Sequence, residues 1–316
     1  MRLLVLGGTS FVGRHLVETA LASGNEVTLV HRGRTNPGLF PQAEHRHGDR
    51  ASGDYQALAS GDWDATVDVT AYVPRQVNQA LDALDGRQGH YVVVSSVSAY
   101  DPALATPDEG SPRYAPPAPT TETVDEHSYG PLKAECERVA QHRLGEQGVA
   151  VVRPTFVAGP YDPTDRFTYW ARPMAAGGRV PVAWPDEPVQ VVDARDLGAF
   201  LLELAGNGAA GVFDAVGPFG ALRVLLDDLA VPGRPYELVD VTARLDAAGV
   251  ALPLVQGDPA DRPLMTRTGE RALAAGLRVR SLRETASDTV AWDVQRGQPA
   301  LRVGPDEATR AALLAS

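Results

Sequence analysis

The opening residues constrain the fold more than any later stretch. Arg2–Leu6 is a short apolar run, Gly7-Gly8-Thr9-Ser10 a turn. Phe11–Ser23 then places apolar residues at Phe11, Val12, Leu16, Val17, Ala20 and Leu21, a helical period. Strand, glycine turn and helix in that order open a mononucleotide-binding unit. Gly7 permits the tight turn, Gly13 permits close helix–sheet packing, and the helix N-terminus attracts a pyrophosphate. A Gly-x-x-Gly-x-x-Gly pattern would put glycine at position 10, where this chain has Ser10. Either the backbone approaches a phosphate less closely there, or the hydroxyl donates a hydrogen bond. Gly7, Thr9, Ser10, Phe11, Val12 and Gly13 are the candidate phosphate-binding residues.

The first half continues the alternation. Glu26–His31, Glu44–Gly48, Ala65–Val69 and Gly89–Ser95 are further strand-like runs, with helical stretches near Tyr55–Ala59 and Pro74–Leu84. Val149–Arg153 and Val212–Val216 add two more strands. Nearly continuous apolar strands alternating with helices predict a Rossmann-type, doubly wound parallel sheet covered on both faces. Asp101–Pro119 is rich in proline and predicts an irregular loop, and a helix follows over about His127 to Glu146. The predicted domains are a dinucleotide-binding domain over 1–155, with 189–217 returning to it, and a smaller substrate lobe from 156–188 and 218–316. The stretch from Phe219 is expected to be mostly helical.

Charge and composition exclude several functions. The 316 residues carry 29 Lys+Arg against 40 Asp+Glu, a net charge of −11 that repels phosphate backbones, so no nucleic-acid partner is expected. The single cysteine, Cys136, leaves no internal disulfide and no zinc-type cluster, and the seven histidines show no metal spacing. No apolar run is long enough to span a membrane, and the first residues are too glycine-broken for a signal peptide. These features lead us to expect a cytoplasmic protein acting on a small molecule, as a monomer or homodimer.

The second strand ends Leu29-Val30-His31-Arg32-Gly33-Arg34. An acidic residue about here usually holds a free ribose 2′-hydroxyl. None is present, and a guanidinium suits a 2′-phosphate. Arg32 and Arg34 therefore predict NADP(H) in preference to NAD(H), with NAD(H) possible; the alternative is that both are solvated loop charges.

All but one of the 29 basic residues are arginines, and the exception is Lys133. It stands four after Tyr129, so a helix would put both on one face. A nearby ammonium favours a phenolate, and a tyrosine so tuned can exchange a proton with a carbonyl or alcohol near neutral pH. The strand ending Ser95-Ser96-Val97-Ser98-Ala99-Tyr100 brings hydroxyls to a parallel-strand carboxyl end, where such sheets bind ligands.

With these pieces the sequence resembles the short-chain dehydrogenase/reductase superfamily in its extended form, related to epimerases, dehydratases and dihydroflavonol-type reductases. The resemblance rests on Gly7–Gly13, Gly48-Asp49-Arg50, Val94-Ser95-Ser96, Tyr129 with Lys133, Arg153–Pro160 and Val189–Leu197. It implies that Tyr129 is the general acid/base. Lys133 would lower its pKa and hold the nicotinamide ribose, and Ser96 would hydrogen-bond the reacting oxygen, with Ser95 and Ser98 as alternative hydroxyls. Asp49 and Arg50 would lie at the adenine and Pro154 near the nicotinamide. The family's dehydratases carry Thr-Asp-Glu at the serine position, whereas Ser96-Val97-Ser98 has no carboxylate. Its nucleotide-sugar enzymes often carry Asn four before the Gly-Pro proline, and this chain has Phe156 there. These departures favour a carbonyl reductase. The alternatives are an epimerase that uses the dinucleotide transiently and a non-catalytic dinucleotide-binding protein.

Arg166, Tyr169 and Trp170 are substrate-pocket candidates that could equally pack the second lobe, and Trp184 and Trp292 suit a core. Cys136 suits a small buried hydrophobe better than a nucleophile. Asp193, Arg195 and Asp196 suit a helix cap.

Overall fold

The computed structural model describes residues 1–118, 120–255 and 258–315. Its first elements are β1 (Arg2–Leu6), α1 (Phe11–Ala22), β2 (Glu26–His31), β3 (Glu44–His47), β4 (Ala65–Asp68), α2 (Pro74–Leu84), β5 (His90–Val94), α3 (Tyr129–Leu144) and β6 (Val149–Pro154). Then follow β7 (Phe156–Ala158), α4 (Thr168–Ala176), β8 (Gly178–Val182), β9 (Pro188–Asp193), α5 (Ala194–Asn207) and β10 (Gly211–Ala215). The last are β11 (Phe219–Ala221), α6 (Leu222–Leu229), β12 (Tyr236–Asp240), α7 (Leu245–Ala248), α8 (Glu270–Ala274), α9 (Leu282–Gln295) and α10 (Glu307–Leu314).

Seven strands form one sheet in the order β10-β6-β5-β4-β1-β2-β3, every neighbouring pair parallel. Leu3, Leu4, Val5, Val92, Val93, Val151 and Val152 are fully buried, as strands covered on both faces require. The chain winds outward in both directions from β1, so the strand order reverses between β1 and β4. The carboxyl ends at that switch point are where such sheets bind ligands. On one face α1 lies so close to α5 that a Cβ on Gly198 would sit 2.7 Å from the Leu16 nitrogen.

The chain divides into two units. The first comprises 1–155, 194–216 and 267–278; the second comprises 156–193, 217–266 and 279–316 as far as described. This differs from the sequence expectation at 189–193, at Gly217, which falls in the second unit, and at 267–278. β9 pairs parallel with β7 and antiparallel with β11, so 189–193 belongs to the second unit and the return begins at Ala194. The stretch 267–278 joins the first unit because Arg267 is buried there against Tyr100 and Asp214.

The second unit packs Phe167, Trp170, Met174, Leu222 and Leu226 into its own core. It is less helical after Phe219 than expected, since β12 pairs with β8. The irregular segment from Asp101 contains a single helical turn at Pro102–Leu104; its expected end, Pro119, lies outside the described residues, as do Gln256, Gly257 and Ser316 of the expected substrate lobe. The expected helix at Tyr55–Ala59 is one 3-10 turn over Gln56–Leu58.

Candidate active site

The glycine turn is shaped by close approach. Gly7 has φ +113°, and a Cβ there would meet Val69 Cγ2 at 2.6 Å. At Gly13 a Cβ would come within 2.9 Å of the Gly8 backbone, which cannot give way. Ser10 caps α1 with its backbone extended and its side chain making no capping hydrogen bond, and Phe11 is held at φ +39°. That conformation is uncommon for a bulky residue and is often found at ligand sites. The Ser10 side chain thus leaves the first N–H groups of α1 uncapped. Thr9 is buried, and its carbonyl accepts from the Asn36 side chain at 2.9 Å.

Lys133 is the best-fixed of the predicted residues. It is buried, and its ammonium donates to the carbonyls of Ala71 at 2.7 Å and Val94 at 2.6 Å. These lie just beyond β4 and at the end of β5, so the amine stands at the carboxyl edge of the sheet. An ammonium has three N–H donors, which leaves one. Tyr129 begins α3 one turn earlier and is half-buried. Gly130 explains how it reaches the strand ends: a Cβ there would lie 2.3 Å from the Ser98 carbonyl, so only glycine lets α3 settle on the Ser96–Ser98 turn.

The three candidate serines have separate surroundings. Ser95 donates to Glu137, which is fully buried and also takes Arg153 Nε at 2.8 Å and Arg113 at 3.1 Å. This hydroxyl is committed to the fold. Ser96 Oγ accepts from the Ser98 N–H at 3.1 Å and lies 3.2 Å from Ser98 Oγ. Burial disfavours the Glu137 carboxylate, but Arg153, Ser95 and Arg113 outweigh it and hold the pKa below its ordinary value.

The sequence reasoning missed Tyr72. Its ring centroid is 5.1 Å from the Lys133 ammonium, yet 45% of the residue is exposed. Burial of the phenol raises its pKa; Lys133 opposes the rise, while Tyr129 and Asp68 add to it. Nothing in the sequence marks this tyrosine except its place after a strand at the switch point.

At the end of β2, Arg32 and Arg34 are exposed, with Arg34 3.8 Å from Asp49. Behind them the histidines form a relay. The Gly33 N–H donates to His31 Nδ1 at 3.0 Å, so Nε2 carries the proton and donates to His45 Nδ1 at 2.8 Å. His45 Nε2 in turn donates to the Phe40 carbonyl at 3.0 Å. Burial, then the neighbouring His45 and His47, lower the His31 pKa.

The Arg50 side chain is engaged within the fold. Its guanidinium holds buried Asp68 at 2.7 Å, Thr70 at 2.8 Å and the Gln76 carbonyl at 3.0 Å, because a buried carboxylate needs a charge partner. Its side chain therefore serves the fold. Asp49 accepts from the Ala51 N–H at 3.1 Å. Pro154 ends β6, and the next residue, Thr155, has a buried hydroxyl with no partner among the described residues. These features fit a dinucleotide: a turn that a side chain would fill, helix N–H groups that the Ser10 side chain does not cap, an ammonium donor and, among the described residues, an orphaned hydroxyl at the strand ends.

In the second unit, Trp170 is fully buried and donates to the Pro253 carbonyl at 2.8 Å, so packing accounts for it. Tyr169 packs edge-on against it, and Arg166 covers the Phe156 ring at 5.4 Å. Trp184 and Trp292 are only half-buried, the latter between Tyr161 and Arg296. Asp193 lies 3.7 Å from Arg280. Burial pushes the Cys136 thiol up to about 12, which suits a hydrophobe and not a nucleophile. Among the described residues no group of His, Cys, Asp or Glu could hold a metal ion, and no helix is long and apolar enough to cross a membrane.

The parallel sheet, the glycine turn and a tyrosine–lysine helix at the strand ends define a Rossmann-type member of the extended short-chain dehydrogenase/reductase class. More particularly, the chain belongs to the NAD dependent epimerase/dehydratase family, whose sequence profile matches residues 3–212. It is 26% identical over 231 residues to the chloroplast stem-loop binding protein of 41 kDa b from Arabidopsis thaliana. That match covers 66% of this chain and 56% of the plant protein, so the chain spans little over half its relative's length. Its fold is similar to the Bordetella bronchiseptica enzyme WbmH in complex with NAD+ (TM-score 0.67, 17% identity, 94% of this chain and 99% of that one). It is also similar to PA4631, a nucleoside-diphosphate-sugar epimerase from Pseudomonas aeruginosa (TM-score 0.65, 20% identity, 94% and 98%).

Proposed function

We propose that the chain is an NADP(H)-dependent oxidoreductase that reduces a carbonyl, or a related unsaturated group, of a small molecule, with Tyr129 as general acid. The observation that carries this reading is Lys133, fixed by two strand-end carbonyls with one N–H left, a helical turn from Tyr129. The turn from Gly7 to Gly13 and the start of α1 would hold the pyrophosphate, Arg32 and Arg34 the 2′-phosphate, and Asp49 the adenine. Lys133 would take the nicotinamide ribose, with Pro154 beside the ring. The dinucleotide supplies hydride when bound. Tyr129 donates the proton to the carbonyl oxygen, and the Ser96 hydroxyl turns from Ser98 to donate to the same atom. Lys133 stabilises the phenolate left on Tyr129. The turn after β5 offers no carboxylate for water loss.

A second reading, an epimerase that uses the dinucleotide transiently, is favoured by the solved structures of similar fold, one of which is named a nucleoside-diphosphate-sugar epimerase. Net NADPH consumption supports the reductase; an isomerised product without net consumption supports the epimerase. In either, Tyr129→Phe loses about 10²-fold or more in rate, while a non-catalytic binding protein loses nothing. NADPH should bind more tightly than NADH in a fluorescence titration, and Arg32→Ala should narrow the gap. Equal affinities, unchanged in the variant, would remove the cofactor preference. Stem-loop binding, which the plant relative's name gives for that protein, is not proposed here: a net charge of −11 opposes binding to a phosphate backbone.

A further inference from the structure

The segment after β4 is built to hold one side chain at the catalytic edge. A Cβ on Gly7 would strike Val69 and Thr70, so this segment packs directly on the phosphate turn. The Thr70 hydroxyl donates to the Leu6 carbonyl, and the Tyr72 N–H closes back on the Thr70 carbonyl at 3.0 Å. Ala71 and Val73 on either side of Tyr72 are buried, while Tyr72 itself is turned outward. The Ala71 carbonyl is one of the two that grip Lys133, and the next residue sets its ring over the same ammonium. The backbone thus fixes both a hydrogen-bond acceptor and an aromatic face on one cation. A cation within about 6 Å of a tyrosine ring is attracted to it, and more strongly where water is excluded.

From this geometry we infer that Tyr72 is a positioning residue of the reaction centre, its ring roofing the Lys133 ammonium and keeping water from it. The inference rests on the reading of Lys133 and Tyr129 as an acid–base pair. An ammonium shielded from water acts more strongly on a neighbouring phenolate, because the effective dielectric between them is lower. Removing the roof admits water and weakens that action. The charged and titratable groups coupled to this site are Tyr72 itself, Asp68 with its partner Arg50 from the β4 edge, and Cys136 further along α3, with Glu137 beyond it acting on Cys136. Asp68 is held by Arg50, and Glu137 by Arg153, so both stay ionised through the alkaline range in which a phenol titrates.

The test is an ultraviolet titration of tyrosinate in Tyr72→Phe, Tyr72→Leu and the unaltered protein. Tyr129→Phe made in each background isolates the Tyr129 signal. Tyr72 is half-exposed, so the substitutions are tolerable, and NADP+ affinity by fluorescence checks that each variant is intact. The ionisation constant of Tyr129 should fall about three- to tenfold in Tyr72→Leu. It should be unmoved in Tyr72→Phe, which keeps the ring. The proposal is overturned if Tyr72→Leu titrates like the unaltered protein, or if Tyr72→Phe shifts as far. It also fails, together with the acid–base pair, if Tyr129 titrates as an ordinary phenol throughout. If the shifts appear but no substrate is reduced, the roof stands and only the reductase reading falls.

Discussion

Glu137 lies on α3 one turn beyond Lys133, and replacing it with glutamine tests whether a buried ion cluster sets that helix against the sheet. Glu137 and Arg153 are 0% and 2% exposed, and Arg113 and Ser95 complete the carboxylate's partners. Glutamine keeps the shape but leaves the Arg153 guanidinium buried without a counter-charge. Breaking one partner of such a pair costs about 3–5 kcal/mol, a large share of the roughly 5–15 kcal/mol that holds a domain together. Replacing both partners, as in Glu137→Gln with Arg153→Met, removes the stranded charge, and the double variant should recover most of the loss. Urea unfolding at neutral pH measures all three proteins. The pH dependence supplies a second check. The folded pKa of Glu137 lies below its unfolded value near 4.5, so its contribution is present above that pH and is lost as pH falls through the folded pKa. Glu137→Gln should flatten this part of the acid profile. A single variant as stable as the unaltered protein, or a double variant worse than the single, would refute the stranded-charge argument.

Two further outcomes follow from the first unit. Gly13→Ala forces a Cβ to within 2.9 Å of the Gly8 backbone, so it should destabilise by about 1–3 kcal/mol and weaken NADP+ binding, read by thermal melts and fluorescence titration. His31 is held neutral by burial and by its relay, so its folded pKa lies below 6.5; stability should fall as pH drops from 6.5 through that folded value, and His31→Asn should reduce the slope in acid unfolding curves.

What the sequence made legible, and what it hid, divides along the range of the physics. The strands of the sheet are apolar runs, and α2 spans Pro74–Leu84 because proline opens it and its buried face repeats at Val77, Ala80, Leu81 and Leu84. Glycine positions announce close approaches that are local in the chain, as Gly7 and Gly13 do. The hidden features depend on partners far away in sequence. β9 is itself a largely apolar run that could extend any sheet, and only its pairing with β7 and β11 assigns it to the second unit. Arg267 is one arginine among many until its guanidinium is seen 3.9 Å from the Tyr100 ring and paired with Asp214. The same holds at the site. Tyr129 and Lys133 are visible because one helix carries both at a fixed spacing, whereas Tyr72 reaches the ammonium from another strand end, 61 positions before it in the chain. Ser95 and Ser96 are adjacent and chemically identical, and it is the distant Glu137 that commits one hydroxyl to the fold and leaves its neighbour for the substrate-binding role proposed for it.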